Sequence, residues 1–167
     1  MTWDGGLHRG AGRLAAGIWW HTADFARFDG DTERHTAGLY TLAEQQVWRE
    51  HPDVADDEQG ISLFAQYGWA DEEVSEVSQH LGAGVLWVGP FPGRDGDAVG
   101  GMLTLVDLSD ASGSGFAGDE TGIELFYRLA ITPFLTLKPD LQGVSNPSGD
   151  TTVDDALVLI LRIEIAL

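Results

Sequence analysis

From Ala156 to Leu167 the sequence reads "ALVLILRIEIAL", and every second residue is aliphatic: Leu157, Leu159, Leu161, Ile163, Ile165 and Leu167. The intervening row, Ala156, Val158, Ile160, Arg162, Glu164 and Ala166, ends in charge. A strand sends successive side chains to opposite faces, so one face here is hydrocarbon and the other partly polar. The same period of two recurs along the chain between Gly, Pro and Asp clusters, and helical periodicity is weak. It predicts eight strands: Arg13–Thr22, Ala37–Arg49, Gly60–Trp69, Gln79–Gly89, Ala98–Val106, Thr121–Ile131, Leu135–Val144 and Ala156–Ala166. Most run to about ten residues, where a globular strand averages about five or six. At about 3.3 Å per residue and a tilt near 45°, about ten to twelve residues cross the hydrocarbon core of a bilayer.

The connections alternate in character. "DFARFDGDTERHT", "ADEEVSEVS", "DLSDASGSGFAGDE" and "SNPSGDTTVDD" are long and acidic. Between them fall "PFPGRDGD", the short "TPF", and "EHPDVADDEQG", which is long where a short turn is expected. Long loops at one end and mostly short turns at the other describe an up-and-down meander of the outer-membrane kind. If "TPF" is a three-residue loop, Ile131 lies opposite Leu135, Leu129 opposite Leu137, Tyr127 opposite Pro139 and Leu125 opposite Leu141, all on the apolar face. The other face then pairs Arg128 with Lys138, Phe126 with Asp140 and Glu124 with Gln142. Pro139 has no N–H to give a neighbour, which predicts a bulge or a lost ladder bond there.

Elsewhere Leu14, Ala16, Ile18 and Trp20 oppose Arg13, Trp19 and His21, and Ile61, Leu63, Ala65, Tyr67 and Trp69 oppose Ser62, Phe64, Gln66 and Gly68. The Ala37–Arg49 run has no clean face. Trp20, Tyr40, Trp48, Tyr67, Trp69, Trp87 and Tyr127 fall near predicted strand ends, where lipid–water boundaries favour Trp and Tyr.

Composition narrows the reading. Twenty-seven acids against nine bases give a net charge of −18, which opposes binding to nucleic acid or to an anionic membrane surface. There is no Cys, hence no disulfide or thiolate site. "MTWDGGLHRGAG" lacks the basic and apolar segments of a signal peptide, and residues 1–12 read as a poorly ordered extension of a single domain.

Several stretches now resemble a known family. "GPFPGRDGDAVG", "IELFYRLAITPFLTLKPDLQGVSNPSGD" and "DALVLILRIEIAL" are similar to the C-terminal half of OprB-type carbohydrate-selective porins, as are "GIWWHTADF" and "LYTLAEQQVWRE". The resemblance runs from about Ala16 to Leu167. It implies an all-β, antiparallel, up-and-down transmembrane β-barrel of sixteen strands in the bacterial outer membrane, of which this chain supplies eight. The implied activity is passive diffusion of sugars, with small sugars and outer-membrane lipid as partners and a missing N-terminal half or a second chain to complete the wall. The terminal Leu167 departs from the aromatic terminus usual in such barrels. On this reading the aliphatic rows face lipid and the polar rows face water.

The lumen residues then expected to contact sugar are Trp19, His21, Glu124, Phe126, Arg128, Lys138, Asp140, Gln142, Arg162 and Glu164. Charges and amides would meet hydroxyls, aromatic faces would meet the C–H side of a pyranose, and weak binding would permit release. Arg128, Lys138 and Arg162 are expected on adjacent strands at similar height, with Glu124, Asp140 and Glu164 in range; a structural ion-pair ladder is the competing role.

Other motifs add little. Gly113 to Gly118 fits a dinucleotide fingerprint, but a strand follows it, not a helix. Asp29, Asp31 and Glu33, and Asp95 with Asp97, lack the completion of a calcium loop, and the histidines lack metal-ligand spacing. No arrangement calls for catalysis, a cofactor or a metal. Two other classes fit parts of the pattern: a small outer-membrane barrel with a structural or adhesion role, and a soluble β-sandwich that binds sugar.

Overall fold

The computed structural model describes residues 12–55 and 57–166. The expected extension lies outside them except for Gly12, which opens the first strand, and Leu167 lies outside them too. Eight long strands form one antiparallel sheet: β1 (Gly12–His21), β4 (Thr36–Arg49), β5 (Gly60–Ala70), β6 (Val77–Val88), β7 (Ala98–Leu108), β8 (Glu120–Thr132), β9 (Leu135–Ser145) and β10 (Ala156–Ile165). Two short strands, β2 (Phe25–Ala26) and β3 (Thr32–Glu33), make a separate hairpin inside the first loop. Each long strand pairs with its predecessor, so the order is a plain meander with β1 and β10 at the edges. The sheet does not close. All eight predicted strands appear, with ends within two residues of those expected.

The sheet has almost no interior. Ala98 and Pro90 are the buried apolar side chains among the described residues. The chain exposes 11130 Å², against roughly 8000 Å² for a globular monomer of its mass. The excess is hydrocarbon on one face: Leu157 is 77% exposed, Leu159 78% and Ile18 87%. Cross-strand register carries that face across the sheet, for example along Ile18, Leu39 and Trp69, or Val85, Gly101, Leu125 and Leu141. Aromatics bound it at both ends. Trp20, Tyr67 and Trp69 lie toward the long loops; Trp48, Trp87 and Tyr127 lie toward the short turns. Ile61, the partner of Trp48, and Trp69 are separated along β5 by about 27 Å before tilt. Tyr40 is the exception: it shares the opposite face with Trp19 and Gly38.

The β8–β9 hairpin matches the expected register over most of its length, pairing Leu129 with Leu137, Leu125 with Leu141, Phe126 with Asp140 and Glu124 with Gln142. The turn differs. Thr132, not Ile131, pairs with Leu135, so the loop is Pro133–Phe134 and Ile131 is extruded as a bulge. The Thr132 hydroxyl accepts from the Phe134 N–H at 3.3 Å, which stabilises the tighter turn. The rungs at Tyr127 and Arg128, opposite Pro139 and Lys138, drop out of the ladder without a change of register. That is the expected cost of a proline in a paired strand.

The two ends are built differently. At the long-loop end the loops interlock. Phe28 packs edge-on to Phe116, Arg27 pairs with Glu73, Ser109 donates from its hydroxyl to the Glu72 carbonyl, and Ala117 N–H donates to the Gly149 carbonyl at 3.3 Å. At the short-turn end the segment between β6 and β7 folds over β8 through Asp97. This carboxylate, 1% exposed, accepts from Arg94 at 2.7 and 2.8 Å, from the Ala130 N–H at 2.9 Å and from the Tyr127 hydroxyl. Burial pushes the Asp97 carboxyl up, but the donations from Tyr127, Arg94 and Ala130 outweigh it and hold the group below the ordinary aspartate range.

Candidate functional site

The inward side chains of the eight strands define the polar wall. Register ties Arg13, Glu44, Phe64, Gly84, Met102, Glu124, Gln142 and Val158 into one row across the sheet. A neighbouring row runs Gln46, Ser62, Leu86, Gly100, Phe126, Asp140 and Ile160.

On β8 and β9 these rows bring together five of the expected residues. Lys138 Nζ lies 3.7 Å from Glu124 Oε1, 3.7 Å from Asp140 Oδ2 and 3.7 Å from the centre of the Phe126 ring. Gln142 donates from Nε2 to Glu124 Oε2 at 3.4 Å. The ammonium is thus held by two acids and an aromatic face, and the group of three charges is net negative. Asp140 is buried, and its Oδ1 receives no hydrogen bond among the described residues. A buried carboxylate oxygen without a donor is costly.

The remaining expected residues stand apart. Arg128 does not turn toward Asp140. It pairs across to Ala98 and donates to the Gly96 carbonyl at 3.4 Å, at the short-turn end. Arg162 faces Lys138 directly, as expected, and Glu164 faces Thr136. Both are exposed on the edge strand β10. The three bases therefore neighbour one another by register, but Lys138 alone holds the two acids of the cluster. Trp19 and His21 lie on β1 near the long loops. The His21 Nδ1 accepts from the Ala23 N–H at 3.2 Å, and its ring meets Phe25 edge-on.

A second part of the wall lies outside the residues expected to contact sugar. Arg13 and Glu44 form an ion pair at 3.3 Å, and Tyr40, Phe64, Gln66 and His80 share this face. The β4 run showed no clean face because Thr41 and Gln45 share the outward row with Leu39, Leu42 shares the inward row with Tyr40, and the strand bulges between Gln46 and Trp48. Inward Gln46 and outward Trp48 have the same parity, so strict alternation fails there. The aromatic residues of this region sit opposite glycines: Trp19 opposite Gly38, Tyr40 opposite Gly17, Phe64 opposite Gly84, and further along Phe126 opposite Gly100. A Cβ on any of these glycines would meet a ring atom at 2.4 or 2.5 Å. The rings lie down on the neighbouring strand because no side chain stands there.

Comparisons with known proteins place this wall. Porin B of Pseudomonas aeruginosa is 28% identical, over 76% of this chain and 32% of that protein. The high-pH structure of Pseudomonas putida OprB superposes with a TM-score of 0.82 at 24% identity, covering 92% of this chain and 44% of that one. The low-pH structure gives 0.61 at 22% identity, covering 95% and 46%. The chain spans less than half the length of each. The sequence profile of the carbohydrate-selective porin OprB family matches residues 1–167, and the chain belongs to that family of bacterial outer-membrane proteins.

Proposed function

We propose that this chain forms about half the wall of an outer-membrane channel that passes small neutral sugars by passive diffusion, and that the Lys138 cluster is its main sugar contact. The observation that carries the reading is the division of one sheet into two faces. One is continuous hydrocarbon bounded by aromatics, as lipid requires. The other holds charges, amides and aromatic rings, as a water-filled lumen requires. Strands in hydrocarbon must pair every backbone group, so the edges β1 and β10 are joined to further strands in the complete wall.

Within the cluster, the partly exposed Glu124 accepts from a sugar hydroxyl, and Lys138, held by its acids, donates to another. The Phe126 ring lies beneath the same ammonium and gives the site an apolar floor. Arg162 and Glu164 extend the polar row, and Arg128 lines the short-turn mouth. Trp19 and His21 line the opposite mouth. None of these contacts is strong alone, which suits a pore that must release what it binds.

The test is sugar-driven swelling of liposomes that contain the complete porin. Neutral hexoses should enter faster than the lipid background, and Lys138→Met should slow hexose entry while leaving heat-resistant assembly intact. Hexose entry at the background rate in the unaltered porin would overturn the reading.

A further inference from the structure

The wall between β1 and β6 contains a hollow that the Lys138 cluster does not use. Toward the long loops, the inward positions form two adjacent rows. One is Gly17, Tyr40, Gly68 and His80; the other is Trp19, Gly38 and Ala70, with Ser78 beside Ala70. Tyr40 leans toward β1 and covers Gly17, with its Cε1, Cζ and Oη at 2.5 to 2.6 Å from the position of a Gly17 Cβ. Trp19 leans toward β4 and covers Gly38, with Cε2, Nε1 and Cζ2 at 2.4 to 2.5 Å from the position of a Gly38 Cβ. Three atoms of the aromatic plane nearly equidistant from one point mean that the ring lies face-on. Each aromatic therefore keeps one face on the strand and turns the other to the lumen.

The lean of Tyr40 leaves Gly68 bare. A Cβ there would meet only the Leu39 carbonyl oxygen, at 4.0 Å. The result is a hollow of about 250 Å³ with Gly68 and Ala70 as its floor, Trp19 and Tyr40 on one flank, and His80 and Ser78 on the other. The Ser78 hydroxyl is committed to the Asp107 carbonyl at 3.1 Å. His80 has no hydrogen bond, ion pair or ring contact among the described residues. Among the described residues no charged side chain lines the hollow.

We infer that this hollow is a second subsite, near the long-loop mouth, for a single neutral pyranose ring. The inference rests on the reading that the polar face borders a sugar-conducting lumen. A pyranose has an apolar C–H face and a rim of hydroxyls. The C–H face lies against Trp19 and Tyr40, and a hydroxyl reaches a ring nitrogen of His80. A rigid pyranose chair, with its C–H groups gathered on one face, fits flat aromatic walls better than an acyclic polyol, whose chain offers no such face. The subsite thus reads ring shape, while the charged cluster deeper in the wall reads hydroxyls. Flat rings leave the bore open until a sugar is held against them.

The experiment records ion current through the complete porin in a planar bilayer, with glucose and its open-chain alditol, sorbitol, as probes. Glucose should interrupt the current at lower concentration than sorbitol. Gly68→Leu fills the hollow where the backbone leaves room, so the unblocked conductance should stay the same. The half-blocking glucose concentration should rise about tenfold, on the order of 1.4 kcal/mol, and sorbitol should be unaffected. Trp19→Ala should act in the same direction and reports independently if the leucine variant fails to assemble. Unchanged glucose block in an assembled variant overturns the subsite, and so does an equal loss for glucose and sorbitol, which would mean simple narrowing. If the unaltered porin passes no sugar in liposome swelling, the channel reading falls and the subsite with it.

Discussion

The two faces of this sheet are specified in different ways. The outward face is defined by composition. Leu157, Leu159, Leu161, Ile163 and Ile165 touch no particular partner, and any aliphatic residue would serve. The inward face is defined by pairs: a ring opposite a glycine, an ammonium between two acids, an arginine beside a glutamate. A solvent that is uniformly apolar asks only for the absence of polarity. A wetted wall with room for a solute asks where each atom lies.

The largest effect should come from reversing the faces. Leu161→Arg near the middle of β10 should destabilise the inserted barrel by about 2–4 kcal/mol, and Ile160→Arg, one residue away on the inward side, should cost clearly less. Urea unfolding from lipid vesicles, followed by tryptophan fluorescence, gives both numbers. Equal costs would dissolve the distinction between the faces.

Asp97 is the polar exception at the apolar edge, and it sharpens the comparison. Asp97→Ala removes the acceptor for Arg94, Tyr127 and the Ala130 N–H. It should cost about 1.5–3 kcal/mol, the scale of a hydrogen bond to a charged group. Because the folded carboxyl sits below its unfolded value, its contribution is complete above the ordinary aspartate range, about pH 4. It fades as pH falls through the lower folded value. Unaltered protein should therefore lose stability on acidification, and Asp97→Asn should flatten part of that slope.

The glycine pairs come next. A Cβ at Gly84 would lie 2.5 Å from the Phe64 ring and 2.6 Å from the Gly101 carbonyl oxygen, so Gly84→Ala should cost about 1–3 kcal/mol. Gly68→Ala meets open space and should stay within about 0.5 kcal/mol. Equal losses would show that glycine serves the strand backbone and not the ring above it. Smallest is Arg13→Gln, which breaks an ion pair exposed on both sides and should cost less than about 1 kcal/mol.

This asymmetry explains what was legible in the sequence. The outward rows, the eight strands and the alternating loop lengths follow from a period of two, which is local. The Lys138 cluster was legible because a short turn fixed the β8–β9 register, and the error at that turn, a bulge at Ile131, was absorbed before Leu129. The Trp19–Gly38 and Phe64–Gly84 pairs were not legible. Each joins residues across a long connection, and a glycine in a strand gives no sign of what will cover it. Tyr40 and Glu44 were hidden because neither row of β4 is uniform, with Thr41 and Gln45 outward and Leu42 inward. The turn of Arg128 to the Gly96 carbonyl depends on how the β6–β7 segment folds, which alternation does not encode.

The interlocked long loops bear on the order in which the wall forms. Every rung of the main sheet joins strands adjacent in sequence, so the meander can grow hairpin by hairpin with little loop entropy lost at each step. The contact between Phe28 and Phe116 is of another kind, since it needs five strands between them to be in place. The bond from Ser109 to Glu72 likewise needs the two strands between them in place. These contacts close late, after the strands that bring them together. They act as a latch on a finished rim, slowing its dismantling more than they hasten its construction.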